Sequence, residues 1–233
     1  MKKFIALLLF VMAFAVSCGF HHGQVVGSGQ RVRQKREIPA FTSIRSEGAY
    51  QIEVVSQQTL SLEVEADDNL MPVIRTEVNS GILRITTTTD FSSDKPIMVK
   101  IGTPDIEGIY AAGAGTFEVS GLKNEKFEID SNGAPTIRVS GQTGTVVIDA
   151  NGAGKIDTHK LRATKGTVQA NGVPRVEVNA SDELNVTVSG PASVVYSGDP
   201  KLNKTVNGPG SVERRASEGA KVQGSSFHVQ GSS

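Results

Sequence analysis

The 233-residue chain carries 24 basic and 24 acidic side chains, and losing Lys2 and Lys3 with a leader leaves only a slight acidic excess. That balance gives no electrostatic case for nucleic acid or for an anionic membrane surface. Apolar residues make up 38% and aromatics 5%, with no Trp and 25 glycines, which suits short strands and tight turns rather than helices.

Met1-Lys2-Lys3 followed by the apolar run Phe4 to Val16 reads as a secretion signal, too short to span a bilayer comfortably. Ala15-Val16-Ser17-Cys18 resembles a bacterial lipobox. Residues 1–17 are therefore expected as a signal peptide and Cys18 as the lipid attachment site, joining the mature chain to a membrane. Ala13-Phe14-Ala15 offers an ordinary signal peptidase another cut. Cys18 is the only cysteine, so no intramolecular disulfide is expected. Gly19 and Phe20 lack the Asp that holds some lipoproteins at the inner membrane, which points to the outer membrane. Residues 18–36 read as a solvated, lipid-anchored tether. Its basic cluster, Arg31, Arg33, Lys35 and Arg36, offers attraction to phospholipid head groups as the weaker alternative.

Residues 37–215 read as one β-solenoid. Ile44 to Val54 is an irregular first coil about Gly48. An excursion near residues 57–101 follows: a strand at Leu60 to Ala66, a turn at Asp67 to Pro72, and an antiparallel hairpin from Val73 to Thr88. A polar loop (91–96) and a strand from Ile97 to Ile101 complete it. One turn then recurs six times, from Ala112-Gly113-Ala114-Gly115 to Asn207-Gly208-Pro209-Gly210. Its glycines, Gly113, Gly133, Gly152, Gly172, Gly190 and Gly208, are 20, 19, 20, 18 and 18 residues apart. A fixed period near twenty marks a solenoid in which each repeat is one coil.

Apolar residues recur four positions before the glycine (Ile109, Ile129, Ile148, Val168, Val186) and four after it (Phe117, Ile137, Ile156, Val176, Val194, Val212). Period-two alternation sends these columns inward, to stack at about 4.8 Å per coil. Five positions after the glycine, Glu118, Arg138 and Asp157 alternate in sign and should attract across coils. Asn132, Asn151, Asn171 and Asn207, with Ser189, precede the glycines and should form an amide ladder on backbone suited to left-handed turns. Arg214 and Arg215 break the inward pattern and should close the stack. Residues 216–233 read as a mobile tail in which Phe227-His228-Val229 could add a last strand. A left-handed helix of hexapeptides is the minority reading, because no sixfold rhythm runs through a coil.

The run Phe41 to Thr89, with Ala66-Asp67-Asp68-Asn69-Leu70-Met71-Pro72 and Gly81-Ile82-Leu83-Arg84-Ile85, resembles the family described as "putative auto-transporter adhesin, head GIN domain". The glycine turns and Val195-Tyr196-Ser197-Gly198-Asp199-Pro200 match its C-terminal half. The resemblance implies an all-β, right-handed, pectin-lyase-like parallel β-solenoid in an exported or lipid-anchored protein of unassigned activity.

Chemistry-bearing constellations are sparse. Asp130 and Asp149 share a column on adjacent coils, close enough to bind a cation, but the next member is Gln169. His21, His22, His159 and His228 lack metal-ligand spacing and read as tether or loop histidines. No cofactor, metal or catalytic site is expected. The expected function is a non-enzymatic adhesin-like surface scaffold for an unidentified surface glycan or protein. The alternatives are a carbohydrate-active or carbohydrate-binding protein on the same fold, and a structural envelope component. Three carboxylates with an Arg or Lys converging in one groove would indicate the enzyme, and a flat aromatic strip would indicate sugar binding.

Overall fold

The structure, a computed structural model, describes residues 24–216. The expected signal (1–17), Cys18, His21, His22 and the tail from 217 onward, including Phe227–Val229, lie outside the described residues.

Alternating side chains around each glycine turn become stacked strands. β1 (Val25–Val26) and β2 (Arg31–Lys35) open the chain, and β3 (Ser43–Glu47) and β4 (Tyr50–Ser56) flank Gly48. β5 (Ser61–Asp67), a 3-10 turn (Asp68–Val73), β6 (Ile74–Asn79), β7 (Ile82–Thr87), β8 (Phe91–Ser92) and β9 (Ile97–Thr103) make up the excursion. The regular coils are β10 (Gly108–Gly113), β11 (Thr116–Gly133), β12 (Thr136–Gly152), β13 (Lys155–Gly172), β14 (Arg175–Ser189), β15 (Ser193–Ser197), β16 (Lys201–Asn207) and β17 (Ser211–Arg214). Together they form an all-β solenoid of about five turns, parallel from β10 onward, with antiparallel strands near its N-terminal end.

The inward columns stack in register. Ile109 aligns with Ile129, then Ile148, Val168 and Val186, and Ile52 with Phe117, Ile137, Ile156, Val176 and Val194. All are buried. Each such aliphatic side chain contributes about 1.5–3 kcal/mol through burial. The Gly48 coil joins the stack, Ile44 pairing with Ile109.

The excursion closes the N-terminal end. β7 extends the sheet parallel to β3, and β6 then pairs antiparallel. β9 extends it parallel to β4, and β5 and β2 follow antiparallel. The outermost strand is thus Arg31-Val32-Arg33-Gln34-Lys35, whose charges blunt a sheet edge.

That arrangement corrects the tether. Residues 24–36 are bound to the domain, and β8 turns part of the expected 91–96 loop into the partner of β1. The reason lies in the Asp67-Asp68-Asn69 run. Gly27 has no side chain, and a Cβ there would lie 2.0 Å from Asp67 Oδ2, so only glycine lets the backbone come this close. Asp67 accepts hydrogen bonds from the Gly29 N–H (3.3 Å) and the Ser93 hydroxyl (3.0 Å). Asn69 accepts the Ser28 N–H (3.0 Å) and donates to the Val26 carbonyl (2.8 Å). The basic cluster is largely consumed here. Arg31 pairs with Glu65 and Asp67, Arg33 with Glu65, and Arg36 donates to the Ile74 carbonyl and the Thr76 hydroxyl.

The corner turns differ from expectation in which residue carries the unusual backbone. Gly113, Gly133, Gly152, Gly172, Gly190 and Gly208 all have φ between +90° and +115°, whereas none of the preceding Asn residues has positive φ. Each strand ends at or just before the corner glycine, so Asn stays in extended strand backbone and glycine alone turns left-handed. The amide ladder has one rung: Asn171 donates to Asn151 at 2.9 Å, while Asn132 turns to Asp130 at 2.6 Å.

Candidate functional site

Three coils have a second bend, eight residues after the first glycine, which the sequence reading passed over. Gly121, Gly141 and Gly198 occupy it with positive φ, each preceded by Ser, and the Ser-Gly dipeptide was the available signal. A Cβ at Gly141 or Gly198 would lie 2.2 Å or 2.0 Å from the carbonyl of the coil beneath. This bend starts a third face, and a groove runs along it.

The groove crosses several coils and encloses about 910 Å³. Its floor is one register column, Asn124, Thr143 and Ala163. Asn124 donates to the Ile106 carbonyl at 2.7 Å, and Thr143 donates to Asn124 Oδ1 at 2.8 Å. Those bonds satisfy and fix a polar floor; the small Ala163 continues it. One rim is the exposed column Lys123, Gln142 and Arg162. The other carries Glu125, Gly144 and Thr164. A Cβ at Gly144 would lie 2.7 Å from the Glu125 carbonyl, so glycine keeps the coils close there.

Among the lining residues are three carboxylates (Asp105, Glu107, Glu125), three cations (Lys123, Lys126, Arg162), several amides and hydroxyls, and no aromatic ring. The surface recognises by hydrogen bonds and paired charge rather than by stacking. The three carboxylates do not draw together. Among the described residues the only such trio of His, Cys, Asp or Glu is Asp157, His159 and Glu177, on another face.

The residues singled out from the sequence lie elsewhere. The six glycines and four asparagines line the first corner and none lines the groove. Asp130 and Asp149 are register partners, as expected. Burial pushes the Asp149 carboxyl above its ordinary value, and Asp130 and Glu128 add to that. Their column continues on the other side through Tyr110 and Arg45, whose guanidinium lies 4.8 Å from the Tyr110 ring centre. The alternating column is in register, but Glu118, Arg138 and Asp157 form no ion pair with one another. Asp157 takes His159, and Glu177 takes Arg215. His159 is therefore a strand residue beside carboxylates, not a loop histidine. Asp-x-His on a strand places both side chains on one face, and that was the signal missed.

The family model described as "Putative auto-transporter adhesin, head GIN domain" matches residues 40–200. The chain belongs to this family. Its head GIN domain also resembles solved structures. One, described as a "putative adhesin" from Bacteroides fragilis NCTC 9343, has a TM-score of 0.70 at 19% identity, covering 82% of this chain and 100% of that chain. A "putative adhesin" from Parabacteroides distasonis ATCC 8503 gives 0.56 at 19%, covering 83% and 100%. A "Putative lipid binding protein" from the same strain gives 0.54 at 18%, with the same coverage. At these identities the likeness establishes the fold. No curated protein matches the chain.

Proposed function

We propose that the head GIN domain is a non-catalytic binding head of an exported lipoprotein, and that an extended polar ligand, a surface glycan or a protein segment, lies along the third-face groove. The groove itself carries this reading. It is a long polar surface on rigid stacked strands, with rim cations and amides repeated coil by coil. Its carboxylates, Asp105, Glu107 and Glu125, bring no three donor atoms within 4.8 Å of one another, which supports binding without cleavage.

Anchoring through Cys18 follows from the lipobox-like run. Because the chain is tied down from Val25, the tether is far shorter than residues 18–36. Cys18 stands only six residues before Gln24, a span of at most about 20 Å. The N-terminal cap would then face the membrane at close range, with the groove leading away from it.

The test is a glycan and matrix-protein binding screen on the mature chain, run beside a polysaccharide-depolymerisation assay. Saturable binding with no shortening of the ligand is expected; shortened products would replace this reading with the carbohydrate-active one. Cys18→Ala should abolish acyl labelling and membrane fractionation. Unlabelled wild-type protein with unchanged fractionation would reject the anchor.

A further inference from the structure

On the face after the first corner, Asp157 and His159 stand two residues apart on β13 and point the same way. Glu177 of β14 is the register partner of Asp157. One donor atom from each, a carboxylate oxygen, an imidazole nitrogen and a second carboxylate oxygen, lies within 4.8 Å of the others. The side chains are 17%, 31% and 12% exposed, so the cluster is sheltered yet open on one side. Every donor comes from a strand held by neighbours on both sides, so the positions are rigid.

We propose that Asp157, His159 and Glu177 form a binding site for one first-row transition dication of the Zn²⁺ type. An imidazole with two carboxylates suits such ions, whereas Mg²⁺ and Ca²⁺ prefer all-oxygen shells. The surroundings supply supporting contacts. Asp157 Oδ1 accepts the His159 backbone N–H (3.2 Å) as well as facing the imidazole Nδ1. Arg215 holds Glu177 through Oε2, and Arg175 Nε lies 3.8 Å from Oε1. Hydrogen bonds and ion pairs of this kind orient a carboxylate ligand. The same cations offset the carboxylate charge and keep the affinity below that of a closed structural zinc site. A cavity of about 230 Å³ lined by Glu118, Arg138, Ser140 and Lys160 adjoins the trio. It leaves the remaining coordination positions to water or to an anionic ligand. A bound ion would clip two successive coils together.

The experiment is calorimetric titration of the mature full chain with Zn²⁺, with thermal melts in parallel and Mg²⁺ as the control ion. Cys18→Ser, His21→Ala, His22→Ala and His228→Ala are combined in the background to remove other donors. One equivalent should bind, raise Tm, and weaken about tenfold or more in His159→Ala and in Glu177→Gln. Melts without metal establish that each variant is folded, and His159→Ala removes no ion pair to Arg215. Full affinity in folded His159→Ala, or no binding in the combined background, overturns the proposal.

Discussion

Gly152 shows how little room a corner leaves. Its φ is +114°, and a Cβ would lie 2.3 Å from the Gly133 carbonyl on the coil below. Gly152→Ala should therefore cost at least about 2 kcal/mol from strain and displaced backbone together. Gly29→Ala, also at positive φ but with nothing within 4 Å of its Cβ, should cost less. Denaturant midpoints for the two variants measure the difference. Asp67 is equally constrained by its surroundings. Burial raises its pKa, but Ser93, the Gly29 N–H and Arg31 outweigh burial and hold it below the ordinary 3.8. Asp67→Ala leaves Arg31 with Glu65 alone and strips the Gly29 N–H and the Ser93 hydroxyl of their acceptor, and should cost on the order of 2 kcal/mol at neutral pH. A depressed carboxylate stabilises above its unfolded pKa and loses that contribution as pH falls through the folded value. The gap between wild type and Asp67→Ala should thus hold at pH 7 and narrow below about pH 4. Asp149 has the opposite sign: its raised pKa means the charged form is disfavoured in the fold. Asp149→Asn should raise Tm at pH 7 and leave it unchanged near pH 3, where both states are protonated.

At the scale of strands, the regular coils were legible because their inward columns repeat with the glycine. A reader needs only the period and the alternation to place Ile148 against Val168. What the sequence hid were contacts between distant segments. Nothing in Val25 to Lys35 announces that it pairs with β5 and β8, because the docking depends on Gly27 sitting over Asp67, forty residues away. The groove was hidden for a related reason. Its floor mixes Asn124, Thr143 and Ala163, a column that is periodic in space but not in chemistry. The C-terminal end adds a device the sequence only half disclosed. Lys204 follows Val186 in one aliphatic column, and Arg214 follows Tyr196 in another. Inward-column charges on the last described coil oppose stacking of a second solenoid there. Replacing Lys204 and Arg214 by Val should complete both columns and produce concentration-dependent association in sedimentation velocity, where wild type shows less.

For the whole molecule, the parts divide the work. The excursion and the first strands close one end, two column cations stand on the last described coils, and the parallel coils between them hold three faces. On one face, mixed charge and an Arg–Tyr contact fill the outward column. On the next, Asp157, His159 and Glu177 cluster, and on the third the rim and floor residues make a continuous trough. A scaffold of this kind presents spacing and leaves chemistry to its surface. Ligand binding along the trough is the function proposed above. Its most direct test is the dissociation constant of a ligand from the binding screen for wild type, Lys123→Glu/Arg162→Glu and Asp130→Asn/Asp149→Asn. Reversing the rim charge should weaken binding about tenfold or more, while the remote pair stays within about twofold. Unchanged affinity in the rim variant, with loss in the remote one, would contradict it.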